Sequence, residues 1–228
     1  MKEVQPSVSI ISHTENPLET IYRAARQCYS AGSVADMEPA SREKMAELVQ
    51  RCISSGHTSV LEHVSFTFAI SGVSRVLSHQ LVRHRMASYS QQSQRYVKMS
   101  DIEYVCPPSL RDETSADRAY FLSALERASH AYQDMIASGV SAEDARFVLP
   151  GAVATNIVMT MNCRALLHFF EERCCNKAQW EINRMAWVIL TTMVEELPEV
   201  FDFAGPKCRR LGYCPEEQGC GAHPKKGE

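Results

Sequence analysis

The sequence of 228 residues lacks the short motifs that mark many nucleotide-binding enzymes and hydrolases. It contains neither GxGxxG nor GxxxxGK[ST], which excludes a Rossmann dinucleotide site and a P-loop. GxSxG and HExxH are absent as well. Any nucleotide that binds this chain must therefore be held by side chains rather than by a glycine-rich turn.

Long apolar runs are also missing. The amino-terminal MKEVQPSVSIIS lacks the apolar core of a signal peptide, and no segment approaches the roughly 20 apolar residues of a membrane span. We therefore expect a soluble, cytoplasmic protein. The sequence contains nine cysteines, and those next to aliphatic residues, such as Cys28 and Cys52, fit reduced core thiols in a reducing compartment.

Acidic residues are missing from the whole segment between Val64 and Ser100. The segment has a formal charge of +5 inside a chain of net charge −3, and its cations are Arg75, Arg83, Arg85, Arg95 and Lys98. A cationic segment in an acidic chain indicates a local anion pocket rather than a surface for long nucleic acid.

Two periodicities predict the structure of this segment. Side chains from Val64 to Ile70 alternate between apolar and polar, which predicts a strand with one buried face. After Gly72 the period becomes helical, and one predicted helix face contains Val73, Val76, Leu77, Gln80, Leu81 and His84. Polar groups on an otherwise apolar face require a partner, which we expect to be a remote carboxylate or a bound anion.

Beyond this predicted helix, Gln91, Ser93 and Arg95 alternate as they do in an extended segment. An amide, a hydroxyl and a guanidinium on one line predict a phosphate cradle. The alternative is a solvated basic helix end followed by a polar loop. Ser93 is better suited to bind phosphate than to act as a nucleophile, because no base is near it in the sequence.

The remaining periodicities predict several helices and a second strand. A cap, a first-turn proline and a capping-box acid at Asn16, Pro17 and Glu19 open a helix to about Tyr29 that buries Cys28. Further helices are predicted from Ser41 to Gly56, Thr114 to Ser138, Ser141 to Pro150, Asn162 through Arg173, and Ala178 to Leu197, with a loop from Asp101 to Pro108 and a buried strand from Ala152 to Met161. Helices and strands that do not alternate as βαβ units predict an α+β fold in which long helices flank a sheet.

Several residues combine into one resemblance. Arg83-His84-Arg85, then seven residues, then Ser93 is similar to the signature of the flavin-dependent thymidylate synthases, often called ThyX. Further blocks match the same family, namely Gln80, Arg95, His57 to Phe68, Arg146 before VLP, Asn162-x-Arg164, Arg173 and AQWEI from Ala178. The resemblance therefore extends over most of the chain.

The resemblance implies an enzyme that methylates dUMP to dTMP with FAD, NADPH and methylenetetrahydrofolate. It also implies a homotetramer whose sites combine residues from several subunits, and no contact with nucleic acid or membrane. Residues at FAD-contacting positions are Ser59, Arg83, His84, Arg85, Gln91, Asn162, Arg164 and His168. Residues at dUMP-contacting positions are Gln80, Arg83, Ser93, Gln94, Arg95, Arg146 and Arg173, of which Arg173 matches the arginine that polarises the uracil ring.

The chain departs from the family pattern at a few positions. Gln91 replaces a Glu of some members, which removes a charge but leaves a contact. His168 replaces an Asn and Lys177 replaces a His. These replacements put two of the implied cofactor contacts in question.

We divide the chain into a catalytic domain, residues 1–205, and a Cys-rich tail, residues 206–228. The tail has four soft side chains, Cys208, Cys214, Cys220 and His223, but no C-x2-C pair. A zinc site and a disordered tail are both open, and no metal ligands are assigned. In HTSVLEH, His57 and His63 lie six residues apart without an obvious third ligand, so zinc is not expected there.

Two other functions compete with the enzyme. A binding module would use the basic stretch, with Tyr89 and Tyr96 stacking on bases. A redox or metal protein would be centred on the tail cysteines. For Cys163, Cys174 and Cys175, lowered thiol pKa values and ordinary helix burial are both considered, with burial preferred.

Overall fold

The computed structural model describes residues 1–38, 40–99 and 101–227, so Ser100 and Glu228, which end two of the segments defined above, lie outside it. The predicted α+β class is confirmed. Its helices are α1 Pro17–Gln27, α2 Arg42–Ser54, α3 Arg75–Leu81, α4 Ala116–Ala137, α5 Ala142–Ala145, α6 Cys163–Arg173, α7 Trp180–Glu196, α8 Pro198–Phe201 and α9 Lys207–Leu211. No helix in the described part of the chain is both long and apolar enough to cross a membrane.

Six strands form two sheets. The strands are β1 Lys2–Glu3, β2 Ser7–His13, β3 Ser65–Ser74, β4 Ser88–Gln91, β5 Glu103–Tyr104 and β6 Ala154–Asn162. β1 and β5 pair in parallel, with Lys2 opposite Glu103. The other four form one sheet in the order β2-β3-β6-β4.

The sheet has antiparallel strands around β3. Thr14 N donates to Ser65 O at 3.0 Å beside β2, and Cys163 N donates to Val64 O at 2.9 Å beside β6. The predicted alternation in β3 is confirmed, because Phe66, Phe68 and Ile70 are buried while their neighbours are not. Two runs of residues that the periodicity did not predict as strands, β2 and β5, complete the pairing.

A glycine permits close approach of the backbone at the far end of β3. Gly72 has φ +68°, and a Cβ there would lie 2.4 Å from the carbonyl oxygen of Gln5. Only glycine tolerates both the left-handed backbone and this contact. The change of hydrophobic period at Gly72 therefore lies within β3 and does not mark the end of the strand. The strand continues to Ser74, and α3 begins at Arg75.

The chain forms two compact units. The first unit comprises Met1–Ser9, Ala69–Arg83 and Tyr89–Val158. Its core includes Tyr104, Cys106 and Leu125, and the ring of Phe121 packs edge-on against Tyr104 with 6.1 Å between centroids. On α4, Leu125 and Tyr132 are buried as predicted.

The second unit comprises Ile10–Phe68, His84–Ser88 and the chain from Met159 onward. Three aromatic rings pack in a row between α6 and α8. The ring centroids of Phe169 and Phe170 lie 5.7 Å apart, and those of Phe170 and Phe201 lie 5.9 Å apart. α7 buries Ile182, Met185, Ala186, Ile189, Leu190 and Met193. This wide buried face explains the apolar character that the sequence shows along α7.

Two local predictions at α1 are wrong. Asn16 has a left-handed backbone, φ 46°, and makes no side-chain cap bond; its carbonyl oxygen accepts from Thr20 N instead. Glu19 binds Arg23 at 2.8 Å, one turn further along, rather than closing a capping box. Cys28 is exposed, because α1 ends at Gln27 and the chain turns there.

Candidate functional site

In the first unit, α3 contains only part of the helix face that the sequence predicts. Ser74 caps the helix by accepting from Leu77 N at 3.0 Å, and Leu77 and Leu81 are fully buried. The prediction that Val73 and His84 share this helical face is wrong. Val73 lies in β3, and Arg83 N donates to Gln80 O at 3.2 Å in the turn that ends the helix before His84.

The predicted extended line through Gln91, Ser93 and Arg95 is also wrong. β4 ends at Gln91, and the chain then turns, with Val97 N donating to Ser93 O at 3.0 Å. Arg95 N donates to Ser93 Oγ at 3.2 Å, so the hydroxyl belongs to the turn. The alternation reflected a turn stabilised by its own serine rather than a continued strand.

Arg95 forms an ion pair with a carboxylate that is distant in the sequence. Its Nε and Nη2 bind the two oxygens of Glu143 at 2.8 and 3.0 Å, and both side chains are about half exposed, at 47% and 48%. Arg146 Nε, in the same region, donates to Glu143 O at 3.0 Å. A phosphate at this position would compete with one acid for Arg95. Of the two kinds of partner that the sequence left open for this segment, Glu143 is the remote carboxylate.

The glutamines of this unit are partly engaged. Gln91 Nε2 donates to Thr155 Oγ1 at 3.3 Å, and Gln94 Nε2 approaches Met99 Sδ at 3.9 Å. Gln80 is half-buried, whereas Arg83 is exposed and makes no ion pair with the residues that the structure describes. The Tyr89 hydroxyl donates to Leu81 O at 2.9 Å, and burial raises its pKa to about 12. Tyr89 is therefore tied to the fold and does not present an open ring to nucleic acid.

In the second unit, Asn162 and Arg164 open α6. Asn162 Oδ1 accepts from Ala165 N at 2.8 Å, which confirms the predicted cap and leaves the amide nitrogen for a ligand. Arg164 binds Glu62 through an ion pair at the surface. Ser59 and Arg85 are exposed, and neither forms an ion pair in the described ranges.

Arg173, at the other end of α6, is held by a histidine. Its Nε donates to His84 Nε2 at 2.9 Å, and both side chains are half-buried. Because an arginine Nε is always a donor, His84 Nε2 is the acceptor, and the imidazole is neutral. Burial, followed by the charges of Arg173 and His168, lowers the pKa of His84 to about 4.

The partners of Arg173 leave its positive charge intact. Among the described residues it has no carboxylate within ion-pair distance, and the neighbouring Glu172 binds Lys207 instead. Hydrogen bonding and charge from Lys207 lower the pKa of Glu172 and keep it anionic. A half-buried guanidinium that contacts a neutral imidazole can stabilise negative charge on a ligand.

His84 is itself fixed by packing. The ring of Phe169 meets it edge-on with 5.0 Å between centroids, and that of His168 lies 6.0 Å away. A cavity of about 290 Å³ in the same unit is lined by Arg164 and His168 together with Thr58, Phe203, Gly205 and Arg210. Two of the predicted cofactor residues therefore share one concave surface with a second arginine, Arg210.

Comparison with known proteins decides the family. The family described as thymidylate synthase complementing protein, Thy1, matches residues 9–199. A flavin-dependent thymidylate synthase of Nitratidesulfovibrio vulgaris is 53% identical over 98% of this chain and 98% of its own. This chain belongs to the Thy1 family of flavin-dependent thymidylate synthases. Proteins of that name from Clostridium tetani and Geobacter sulfurreducens are 43% and 46% identical, over 94% and 92% of this chain and 92% and 90% of their own.

Sequence reasoning counted one arginine of this Thy1 chain without assigning it to the site. Arg75 begins α3, its Nη2 donates to Gln92 O at 2.8 Å, and its Nε is buried without a partner among the described residues. Burial and then the charge of Arg146 lower the pKa of Arg75. The signal was available, because Arg75 is the first cation of the acid-free segment.

A second missed residue of this Thy1 chain fixes the end of α6. Asn183 on α7 donates its amide to Arg173 O at 2.8 Å and to Cys175 O at 3.0 Å. Cys175 O also accepts from Ala178 N at 2.9 Å, and together these contacts hold the turn that follows Arg173. Nothing in the local sequence distinguishes Asn183 from the core-forming residues of α7.

The cysteines of α6 are ordinary buried thiols. Burial raises the pKa values of Cys163 and Cys174 to about 12 each, which confirms the preferred interpretation over a lowered pKa. Neither thiol is ionised at neutral pH. Nucleophilic catalysis by these two thiols is therefore disfavoured.

Proposed function

We propose that this chain catalyses the reductive methylation of dUMP to dTMP, with methylenetetrahydrofolate as carbon donor and NADPH-reduced FAD as hydride donor. Membership of the Thy1 family gives the reaction class. The observation that carries the proposal within the molecule is the contact between Arg173 and His84, a charged guanidinium with a neutral partner.

Arg173 is proposed to act on the uracil ring. Addition of hydride and a one-carbon unit to the pyrimidine builds negative charge on its carbonyl and imide edge. A fixed guanidinium stabilises that charge without a covalent thiolate. His84 holds Nε of Arg173 in place, while the remaining guanidinium nitrogens have donors to offer a ligand.

The dUMP contacts are proposed to come from Gln80, Arg83, Ser93, Gln94, Arg95 and Arg146, in addition to Arg173. Support comes from charge: Arg83 has no ion pair among the described residues, and Arg95 is paired at a half-exposed position where a dianion can compete. Arg75, with its buried Nε lacking a partner, adds a further cation to this unit. Phosphate is recognised best by planar guanidinium groups.

The FAD contacts are proposed to come from Ser59, Arg83, His84, Arg85, Gln91, Asn162, Arg164 and His168. The cavity lined by Arg164 and His168 contains two further features that fit a flavin nucleotide. One is Arg210, an exposed arginine whose ion pair with Glu171 a diphosphate would replace, and the other is the aromatic side chain of Phe203 for a ring. When bound and reduced, FAD would supply the hydride. The protein's own residues supply position and electrostatic field.

We also propose that residues 1–205 form the catalytic domain and that the chain works as a cytoplasmic homotetramer whose sites combine several subunits. Large apolar side chains are exposed on the single chain, including Met86 at 77% and Phe147 at 82%, which supports a covered surface in an assembly. The described cysteines are all free, as in a reducing compartment.

The test is an NADPH-dependent assay for dTMP with purified protein. We expect yellow protein that forms dTMP when dUMP and methylenetetrahydrofolate are both present, and none when the folate is omitted. Oxidation of reduced flavin without dTMP formation in the complete mixture would contradict the substrate assignment. Colourless protein that binds RNA instead would favour the binding-module alternative.

A further inference from the structure

The Cys-rich tail is folded onto the end of α6. α9 forms within it, and its cations pair with consecutive acids of α6: Lys207 with Glu172, and Arg210 with Glu171 at 2.8 Å. Further along, Cys214 N donates to Pro224 O at 2.7 Å, which closes the last loop on itself. The alternative of a disordered tail is wrong for its described residues.

Five thiols of the second unit line one cavity of about 410 Å³. Cys174 is buried, whereas Cys175, Cys208, Cys214 and Cys220 are partly or fully exposed, and His223 lines the same cavity. These cysteines are all free. Cys175 follows Arg173 by two residues and was counted in the sequence as an ordinary helix cysteine, so the tail alone did not reveal the fourth thiol.

The thiols are close enough to affect one another. Burial raises the pKa of Cys208, and Cys175 adds to this effect, followed by weaker contributions from Cys214 and Cys220. The loop that contains Cys220 packs tightly on Cys214, because a Cβ on Gly219 would lie 3.1 Å from the Cys214 sulfur. A glycine at this position allows the two cysteine segments to approach.

The sulfur of Cys220 is surrounded by donors. Asn176 Nδ2 points at it from 3.6 Å, and the amide of Ala222 is the largest influence that lowers the pKa of this thiol. N–H groups directed at sulfur stabilise a thiolate, and metal-bound thiolates commonly receive such bonds.

We propose that Cys175, Cys208, Cys214 and Cys220 bind one zinc ion as a tetrahedral site that fastens the tail to the turn after Arg173. Thiolates are the ligands that zinc prefers in closed structural sites. The four thiols have no part in the proposed thymidylate synthase reaction, although Arg173 also lines this cavity. The inference is therefore independent of the proposed function.

The four sulfurs would move when the metal binds. Among the described residues no three His, Cys, Asp or Glu side chains are in metal-binding geometry. Zinc–sulfur bonds of about 2.3 Å therefore require the four sulfurs to move toward one another. Each thiol releases its proton as its bond to zinc forms, which leaves a site of charge −2 near Lys177 and Lys207, two cations that line the same cavity.

The experiment measures zinc in the full-length, tag-free protein, purified with a phosphine reductant and no chelator, and again after incubation with zinc chloride and gel filtration. We expect about one zinc ion per chain. Zinc binding should protect four of the nine thiols from a thiol reagent under native conditions. Cobalt(II) in place of zinc should give the visible absorption of a tetrahedral thiolate complex.

Variants identify the ligands. Cys208→Ser and, separately, Cys175→Ser should lose the zinc, while Cys28→Ser, which removes an exposed thiol elsewhere in the same unit, should retain it. His223→Ala should also retain it. Circular dichroism of each variant shows whether it is folded, and the thiol-protection measurement on the unaltered chain does not depend on variants.

Several results would overturn the proposal. The same number of reactive thiols before and after zinc treatment would show that no site forms, since the buried thiols do not react in the native protein in either state. Loss of zinc from His223→Ala, or retention in Cys175→Ser, would refute the four-thiolate assignment. A fall in free thiols by two or four without bound metal would assign these cysteines to disulfides, and bound iron in place of zinc would refute the choice of metal.

Discussion

Arg95 and Arg173 are both assigned to dUMP by family resemblance, yet they have opposite environments. Arg95 is half exposed and forms a bidentate ion pair with Glu143. Arg173 is half-buried and binds the neutral ring of His84. A paired, solvated arginine can exchange one anion for another and so hold a phosphate. An arginine with a neutral partner keeps its charge for a group that becomes negative during the reaction.

The largest effect is expected from removing the guanidinium at position 173. Arg173→Ala should lower kcat by about 100- to 1,000-fold, because the charge that develops on the uracil loses its stabilising group. Turnover is measured with saturating dUMP, and folding by thermal unfolding. Arg51→Ala removes an exposed arginine of the second unit that pairs with Glu47, and its kcat should not change. Equal losses in both variants would refute the special role of Arg173.

Arg75 extends the comparison, because its buried Nε has no partner at all among the described residues. Arg75→Met should weaken dUMP binding about tenfold through loss of one charge-assisted contact. Stability should change little, since an unsatisfied buried charge is costly and an apolar side chain of similar length relieves that cost. Calorimetric titration with dUMP and thermal unfolding test both statements. Unchanged affinity together with a large loss of stability would assign Arg75 a purely structural role.

The neutral state of His84 predicts a pH dependence of stability. An unfolded histidine takes up a proton below about pH 6.5, whereas folded His84 resists protonation down to about pH 4. The stability that this residue provides is therefore present above pH 6.5 and is lost as the pH falls toward 4. In His84→Gln the free energy of unfolding should vary less with pH across this window, as measured by urea denaturation.

A matched control for this measurement is His130→Gln, which replaces an exposed histidine on α4. It should retain the pH dependence of the unaltered chain. If His84→Gln showed the same slope as His130→Gln, the half-buried imidazole would not be the group that loses stability in acid, and the neutral partner of Arg173 would need another explanation.

The smallest effect is expected at the exposed pair. Glu143→Gln frees Arg95 from its competing carboxylate, and dUMP affinity should rise by about two- to fivefold at low salt, since exposed ion pairs contribute little. High salt should diminish the gain. Glu47→Gln, which breaks a comparably exposed pair with Arg51, should leave affinity unchanged. Weaker dUMP binding in Glu143→Gln would mean that the acid positions Arg95 rather than competes for it.

Local patterns in the sequence predicted much of the fold. The alternation along Phe66 and Phe68 gave β3, and the cap at Asn162 gave the start of α6, because both depend on neighbouring residues alone. Local patterns also gave a wrong prediction at Asn16. Its side chain is typical of a helix cap, but its backbone is left-handed and the side chain makes no cap bond. β2 went unpredicted because its alternation of polar and apolar residues covers only Ser7 to Ile10, and the strand depends on pairing with β3.

The sequence predicted which residues belong to the site but not which of them contact one another. His84 and Arg173 lie 89 residues apart, and Arg95 and Glu143 lie 48 apart, so their contacts depend on the packing of distant elements. The family signature named three of these residues without showing which arginine is neutralised. Charge counting along the sequence left a remote carboxylate open as a partner of the acid-free segment but did not identify Glu143, because that pairing depends on the fold.

The most direct test of the contrast compares kcat and KM for dUMP in Arg173→Ala and Arg95→Ala under identical conditions. We predict that Arg173→Ala loses mainly kcat, whereas Arg95→Ala raises KM and keeps kcat within about threefold, because uniform binding affects KM alone. The opposite pattern, or a change confined to KM in both variants, would contradict the assignment of different roles to the paired and the unneutralised arginine.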